Sequence, residues 1–373
     1  MTMRIVVAPD SFKDALGATA VAAAIADGLQ RRRGSHEIIC IPMADGGEGT
    51  LEVLLGAVGG RRQRVAATGP LGEPVDVAVG LIHQASTAVI ESALVCGYGL
   101  VPKDRRNPLR ATTYGLGQVI RSTIEAGLEE ILLTLGGSAT VDGGAGMIQA
   151  LGMTCLDESG RVIRAHIGGG DLLRIRRIVW DTPPEGIEHV QFTIASDVLN
   201  PVCGPRGAAR VFAPQKGADA SMVDMLERGL SHWAEVLEGV SGQSLRDEPG
   251  TGAAGGTALP LLALCRATLR PGVDLVSETV DLAHHVGAAE LVITGEGRLD
   301  QQSMMGKVVG AVGRMSKAAG VPCVGIVGAV GEGADTCMEV LDRVYTLDCP
   351  VEQTQLRLGE VAERVAAELE GIT

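Results

Sequence analysis

Arg4-Ile5-Val6-Val7-Ala8-Pro9-Asp10-Ser11-Phe12-Lys13 reads as a short buried strand that stops at Pro9, and an Ala-rich helix is expected from about 14 to 30. The next apolar run, Glu37 to Pro42, ends in Met43-Ala44-Asp45-Gly46-Gly47-Glu48-Gly49-Thr50 and leads to a helix near 50–57. Strand, polar loop and helix, twice in succession, begin a parallel α/β layer. Both loops carry carboxylates where open parallel sheets bind ligands, beyond the carboxyl ends of their strands.

Outward from this stretch the rhythm changes. Residues 62–92 alternate like hairpins around the turn Thr68-Gly69-Pro70-Leu71-Gly72, so a domain boundary is expected near residue 60. The α/β pattern returns with a helix ending near Gly127, a strand Ile131–Leu135, a strand Phe192–Ala195 and a long helix over about 219–239. Ser241 to Gly256 is a polar, glycine-rich loop. A strand Leu291–Thr294, a helix starting near Gly306-Lys307, strands at 322–327 and 344–347 and a helix 352–370 then repeat the opening layer. The expected fold class is α/β with two domains. One is a discontinuous flavodoxin-like parallel-sheet domain from residues 1–60 and 290–373; residues 61–289 form an inserted α/β domain, with a ligand cleft between the two.

Composition narrows the function. Of 373 residues 46 % are hydrophobic but only 2 % aromatic, so the cores are built from aliphatic side chains, as in parallel sheets under Ala-rich helices. A net charge of −13 argues against a nucleic-acid partner. The eight cysteines show no CxxC spacing and read as reduced core thiols, and the histidines form no zinc pattern. No apolar run reaches the roughly 18 residues of a membrane span, so no membrane partner and a cytoplasmic location are expected.

Strand ends hold the polar residues of interest: Asp10, Ser11, Lys13, Asp45, Glu48, Ser138, Thr140, Asp142, Asp197, Glu296, Arg298 and Asp300. Singly, each carboxylate could cap a helix; that plainer role is favoured for Asp14, balanced for Asp142 and Asp300, and weaker for Asp10, Asp45 and Asp197 taken together. Phosphoryl transfer needs backbone N–H groups for phosphates, a cation, and carboxylates for Mg²⁺ and the attacking hydroxyl. Gly136-Gly137-Ser138-Ala139-Thr140-Val141-Asp142-Gly143-Gly144, after a strand and before a helix, supplies the first. Lys13, Lys216, Arg298 and Lys307 are the candidate cations. Gly250–Gly255 matches GxGxxG but follows no strand, and Gly306-Lys307 lacks the rest of a Walker A loop, so both are set aside.

These stretches carry a resemblance. Ala8–Lys13, Met43–Thr50, Gly136–Gly144, Ser196-Asp197-Val198-Leu199-Asn200-Pro201, Phe212–Gly217, Gly252–Gly256 and Thr294–Asp300 are similar, in order, to the bacterial glycerate kinase family of the glycerate 2-kinase type. The resemblance implies ATP and Mg²⁺, D-glycerate as acceptor and a two-domain fold with one flavodoxin-like half. Three positions depart from the expected pattern: Val141 stands where Asn is expected, Val308-Val309 where Pro is expected, and Leu116 where a smaller residue is expected.

The combined expectation is ATP-dependent phosphorylation of D-glycerate, most simply to 2-phosphoglycerate. The rivals are a kinase for another small sugar acid and a silent metabolite-binding protein; assembly into a homo-oligomer is left open. Asp197 is the expected base or orienting group, with Lys13 and Asp10 beside it in catalysis. Arg298, Ser11 and Asn200 are expected on the substrate, a guanidinium suiting a carboxylate bidentately. Gly136, Gly137, Ser138, Ala139, Thr140, Gly143 and Lys216 are expected on the nucleotide, and Asp45 and Glu48 on the metal.

Overall fold

The computed structural model describes residues 2–31, 36–163, 166–304 and 306–370. The expected domain ranges include residues 1, 32–35, 164–165, 305 and 371–373, which lie outside the described ones. The chain divides into two compact units, Met1–Val58 with Pro271–Thr373, and Gly59–Arg270.

The first unit starts with β1 (Arg4–Val7), α1 (Ala18–Gln30), β2 (Glu37–Cys40) and α2 (Thr50–Val58). The helix begins at 18, later than expected: Phe12 bridges back to Leu16, Asp14 sits at φ 64° inside that turn, and Gly17 takes the N-cap position of the helix.

The second unit is the insert. A hairpin of β3 (Arg61–Thr68) and β4 (Pro74–Ile82) pairs antiparallel and passes to β5 (Thr87–Glu91), α3 (Ala93–Cys96), α4 (Tyr114–Glu125) and β6 (Glu130–Thr134). Then come α5 (Ala145–Ala150), a small antiparallel pair β7 (Thr154–Leu156) and β8 (Arg177–Val179), β9 (Gln191–Ala195) and α6 (Ala208–Phe212). α7 (Ala220–Ser241), α8 (Leu259–Leu264) and β10 (Thr268–Arg270) complete it. Its sheet runs β10-β9-β6-β5-β4-β3, parallel from β10 to β5 and antiparallel beyond. In α7, Leu226, Leu230, Trp233 and Leu237 recur at helical spacing and are fully buried. Asp219 caps the helix by accepting from the Met222 N–H at 2.8 Å, and Gly242 ends it in the left-handed region.

The chain returns to the first unit through α9 (Gly272–Thr279), α10 (Leu282–Gly287), β11 (Leu291–Leu299), α11 (Val308–Ala319), β12 (Cys323–Val330), β13 (Arg343–Thr346) and α12 (Thr354–Glu370). The return falls at Pro271 and not near 290, because α9 packs with α2 and α11 and its Gly272 lies against the backbone of Asp45 and Gly46. All strand pairs of this sheet are parallel, in the order β13-β12-β11-β1-β2. That is the flavodoxin-like order, with its switch point between β1 and β11. Ile5, Val6, Val7, Leu291, Val292 and Ile293 are buried, as central parallel strands require. On one flank α1 and α12 approach closely at Gly28, where a Cβ would overlap the Gly359 carbonyl.

β11 extends to Leu299 and does not stop at Thr294. The glycines inside it read as breakers, but Gly295 leaves room for the Ile326 carbonyl of β12, and the ladder continues through Arg298 and Ala329. No helix among the described residues is long and apolar enough to cross a membrane. All eight cysteines are free thiols; Cys96, Cys155, Cys323 and Cys337 are buried, whereas Cys40 is exposed.

Candidate active site

Each unit gathers polar groups at the carboxyl ends of its central strands. In the first unit the switch point brings together Asp10 after β1, Asp45 after β2 and Glu296 within β11. The backbone fixes the first two: Asp10 N–H donates to the Gly295 carbonyl at 2.8 Å, and Met43 N–H to the Pro9 carbonyl at 2.9 Å. Asp10 is buried, and its carboxylate accepts from the Ser11 N–H at 2.6 Å. Its pKa is pushed up to about 7, first by burial and then by the Asp45 charge, with Glu296 adding to the rise and the Ser11 N–H and Lys13 opposing it.

Glu296 is also buried and held above the usual carboxylate range by burial. The Ser303 hydroxyl and the charges of Lys307 and Lys13 pull the other way, and Asp300 adds to the rise. Ser303, fully buried, accepts from the Asp300 N–H at 3.0 Å. Asp300 in turn accepts from the Gln302 N–H at 2.9 Å, so it caps a short turn. The sequence singles out Glu296 without giving it a role, and offers no means of finding Ser303, an unremarkable polar residue after two glutamines.

Two expected partners stand apart from this trio. Glu48 is exposed on the loop after Asp45. The Arg298 side chain is 69 % exposed, with its Nε 3.9 Å from an Asp300 oxygen. Among the described residues no three His, Cys, Asp or Glu side chains group closely enough to hold a metal by themselves. Mg²⁺, however, needs only one or two protein carboxylates beside water and phosphate. The Asp10–Asp45 pair fits that demand: each spends one oxygen on a neighbouring N–H, and their mutual repulsion is what a cation relieves.

In the second unit the glycine-rich loop leaves β6 next to the end of β9. The last ladder bond runs from the Leu135 N–H to the Ala195 carbonyl at 3.0 Å, so Gly136 and Gly137 emerge alongside Ser196 and half-buried Asp197. The helix behind the loop, α5, has only six residues, and its first N–H groups are already occupied. Asp142, fully buried, accepts from Gly144 and Gly146 and, at 2.8 Å each, from the Thr113 N–H and hydroxyl. Burial holds its carboxyl above the usual range and these donors oppose the rise. The expectation of a phosphate at that helix start is corrected: a carboxylate is there.

The N–H groups of two expected nucleotide contacts are likewise spent, Ala139 on the Cys96 carbonyl (2.8 Å) and Gly143 on the Gly255 carbonyl (3.0 Å). The Gly143 carbonyl accepts from Trp233 Nε1 at 2.8 Å, and Gly255, at φ 75°, leaves no room for a Cβ beside the Thr140 carbonyl. The Gly252–Gly256 segment therefore braces the first loop. Val141, the departure from the family pattern, is fully buried in the apolar core. Asn200 donates one amide N–H to the Arg206 carbonyl at 2.7 Å and so helps to hold its own loop. The N–H groups of half-exposed Gly136 and Gly137, just past the end of β6, meet no acceptor among the described residues. Below them lies Lys216, 3 % exposed, donating to Ser138 Oγ at 2.8 Å and to the Thr140 carbonyl at 2.7 Å.

The chain as a whole is similar to known proteins. The pattern that defines the Glycerate kinase family matches residues 5–370. A Bacillus subtilis (strain 168) protein named glycerate kinase is 42 % identical over 371 residues, covering 98 % of this chain and 97 % of the relative. Escherichia coli (strain K12) glycerate 2-kinase is 39 % identical over 375 residues, 98 % of each chain. A crystal structure of a candidate glycerate kinase 2 from Salmonella typhimurium LT2 superposes with a TM-score of 0.86 at 38 % identity, covering 100 % of this chain and 99 % of the other. The order of loops and the flavodoxin-like sheet thus have their counterparts over the whole length, and the chain belongs to the glycerate kinase family.

Proposed function

We propose that this chain transfers the γ-phosphoryl group of ATP to D-glycerate in the presence of Mg²⁺, giving ADP and 2-phosphoglycerate. Family membership supports glycerate as the acceptor, and a relative named glycerate 2-kinase supports the 2-hydroxyl. The observation that carries the reading is the neighbouring emergence of Gly136–Gly137 and Asp197 from adjacent parallel strands. Two unspent N–H donors beside a carboxylate suit a phosphate and the hydroxyl that attacks it.

In this mechanism Gly136 and Gly137 donate N–H groups to phosphate oxygens. Asp197 accepts a hydrogen bond from the glycerate hydroxyl and takes its proton as the new O–P bond forms and the bond to ADP breaks. The base needs little strength, because the transition state is loose and the proton moves late. Asp10 and Asp45 would hold Mg²⁺, which when bound neutralises charge on the phosphates; Glu48 would reach it through water. Lys13, beside Asp10, adds positive charge to that carboxylate pair. Glycerate-dependent release of ADP tests the reading; release that ignores D-glycerate contradicts it.

Arg298 keeps its role on the substrate carboxylate in this proposal, its exposure leaving the guanidinium open to a ligand. Arg298→Ala is expected to raise the KM for glycerate by about tenfold or more and spare that for ATP, the size of a lost charge-assisted pair. Arg298→Lys should rescue poorly, since a point charge lacks the fork. A selective loss of ATP binding in steady-state kinetics would put Arg298 on the phosphates.

A further inference from the structure

Lys216 is withdrawn from solvent, and what its ammonium touches is the glycine-rich loop itself: the Ser138 hydroxyl and the Thr140 carbonyl. A buried charge is costly unless its donors are met, and here the loop meets two of the three. The lysine comes from a fixed turn, Pro214–Lys216, closed by Gly217 at φ 94° against the Arg106 backbone. It is delivered to the inside of the loop and is not a surface side chain folded back.

In a planar trans peptide, fixing one carbonyl fixes the N–H that follows it. Lys216 fixes the peptide plane after Thr140, and the Tyr98 N–H fixes the plane after Gly137 by donating to its carbonyl at 2.8 Å. The segment Ser138–Thr140 is thereby held between two anchored planes, and it follows directly on Gly136 and Gly137, which the Leu135 N–H anchors from the other side by donating to the Ala195 carbonyl. We propose that Lys216 is a positioning residue for phosphoryl transfer: from inside the loop it sets the shape of the turn that receives the donor phosphates, and it does not touch them. The inference rests on the reading of this loop as the phosphate site.

The titratable groups facing the ammonium are the Cys96 thiol and the Asp142 carboxylate. Burial draws its pKa down to about 8 against their influence, so the loop is held by a charged donor at neutral pH and by a weaker, neutral one above about 8. Accordingly kcat/KM for ATP should fall on the alkaline side in the wild type, and Lys216→Met should lack that limb.

The test joins kinetics to hydrogen exchange. In Lys216→Met the KM for ATP should rise about tenfold or more while that for glycerate holds within about twofold, and amides of residues 136–143 should exchange about tenfold faster without ligands. A folded Lys216→Met with wild-type exchange in that segment overturns the proposal; weakened ATP binding with unchanged exchange would mean direct contact with phosphate. Should that variant fail to fold, Ser138→Ala, which removes one acceptor, should shift the alkaline limb to lower pH, and an unmoved limb overturns the proposal. Absence of glycerate turnover in the wild type would remove the function proposed above, whereas exchange in 136–143 would still decide the role of Lys216.

Discussion

Asp197→Asn is expected to lower kcat by about 10²-fold or more while the affinity for ATP stays near the wild-type value. The amide keeps the shape of the side chain but cannot accept the hydroxyl proton. Asp197 stands two residues past the end of β9, next to the strand whose end carries Gly136 and Gly137, so the change removes proton acceptance without disturbing the ladder that positions the loop. Single-turnover measurement with saturating glycerate separates the chemical step from binding. Near-normal turnover would move the role to Asp10.

Asp10→Asn should do two opposite things. Activity should fall by about 10²-fold, because a carboxylate proposed to hold Mg²⁺ is lost. Stability of the ligand-free protein in chelator should rise at pH 8. The folded-state pKa near 7 lies above the unfolded value of 3.8, so between these limits the folded state binds more protons than the unfolded one. For this group, stability is therefore highest below about pH 4, falls as pH rises to about 7, and stays reduced above that. At about 1.36 kcal/mol per unit the ionised form costs on the order of 2–4 kcal/mol at pH 8, which the neutral amide recovers. Thermal melts should show the Asp10→Asn variant ahead of the wild type at pH 8 and level with it at pH 4. Equal melting at both values would mean that Asp10 is not strained by Asp45 and its burial.

Much of the fold was legible because the deciding signals are local. The run Ile5–Val7 bounded by Pro9 is a strand on any reading, and the alternation over 62–92 distinguishes a hairpin from a crossover unit. The errors fell where partners distant in sequence decide. Gly295 and Gly297 look like breakers until β12 lies against them, and the segment 271–289 looks like part of the insert until α9 meets α2. Asp14 is the local exception: it looks like a cap until Phe12 folds back on Leu16.

The candidate site divides the same way. That carboxylates and glycines follow the strands is visible in the sequence; which of them are already spent is not. Asp142 is committed to Thr113, 29 residues earlier, and Asn200 to the carbonyl of Arg206. Lys216 could not be read as a buried group, since lysines are seldom buried and only its contact with Ser138, 78 residues away, makes it one. Glu296 carried a readable signal, a carboxylate between two glycines at a strand end, and its importance follows from the strand order that sets β11 beside β1.

In the proposed reaction phosphate passes from ATP to the 2-hydroxyl of D-glycerate. The most direct test is proton-coupled phosphorus NMR of the protein incubated with ATP, Mg²⁺ and D-glycerate. The account predicts ADP together with a new phosphomonoester split into a doublet by the single proton on carbon 2. A triplet from the methylene of carbon 3 would contradict the assigned hydroxyl, and ATP left intact beside unchanged glycerate would contradict the account as a whole.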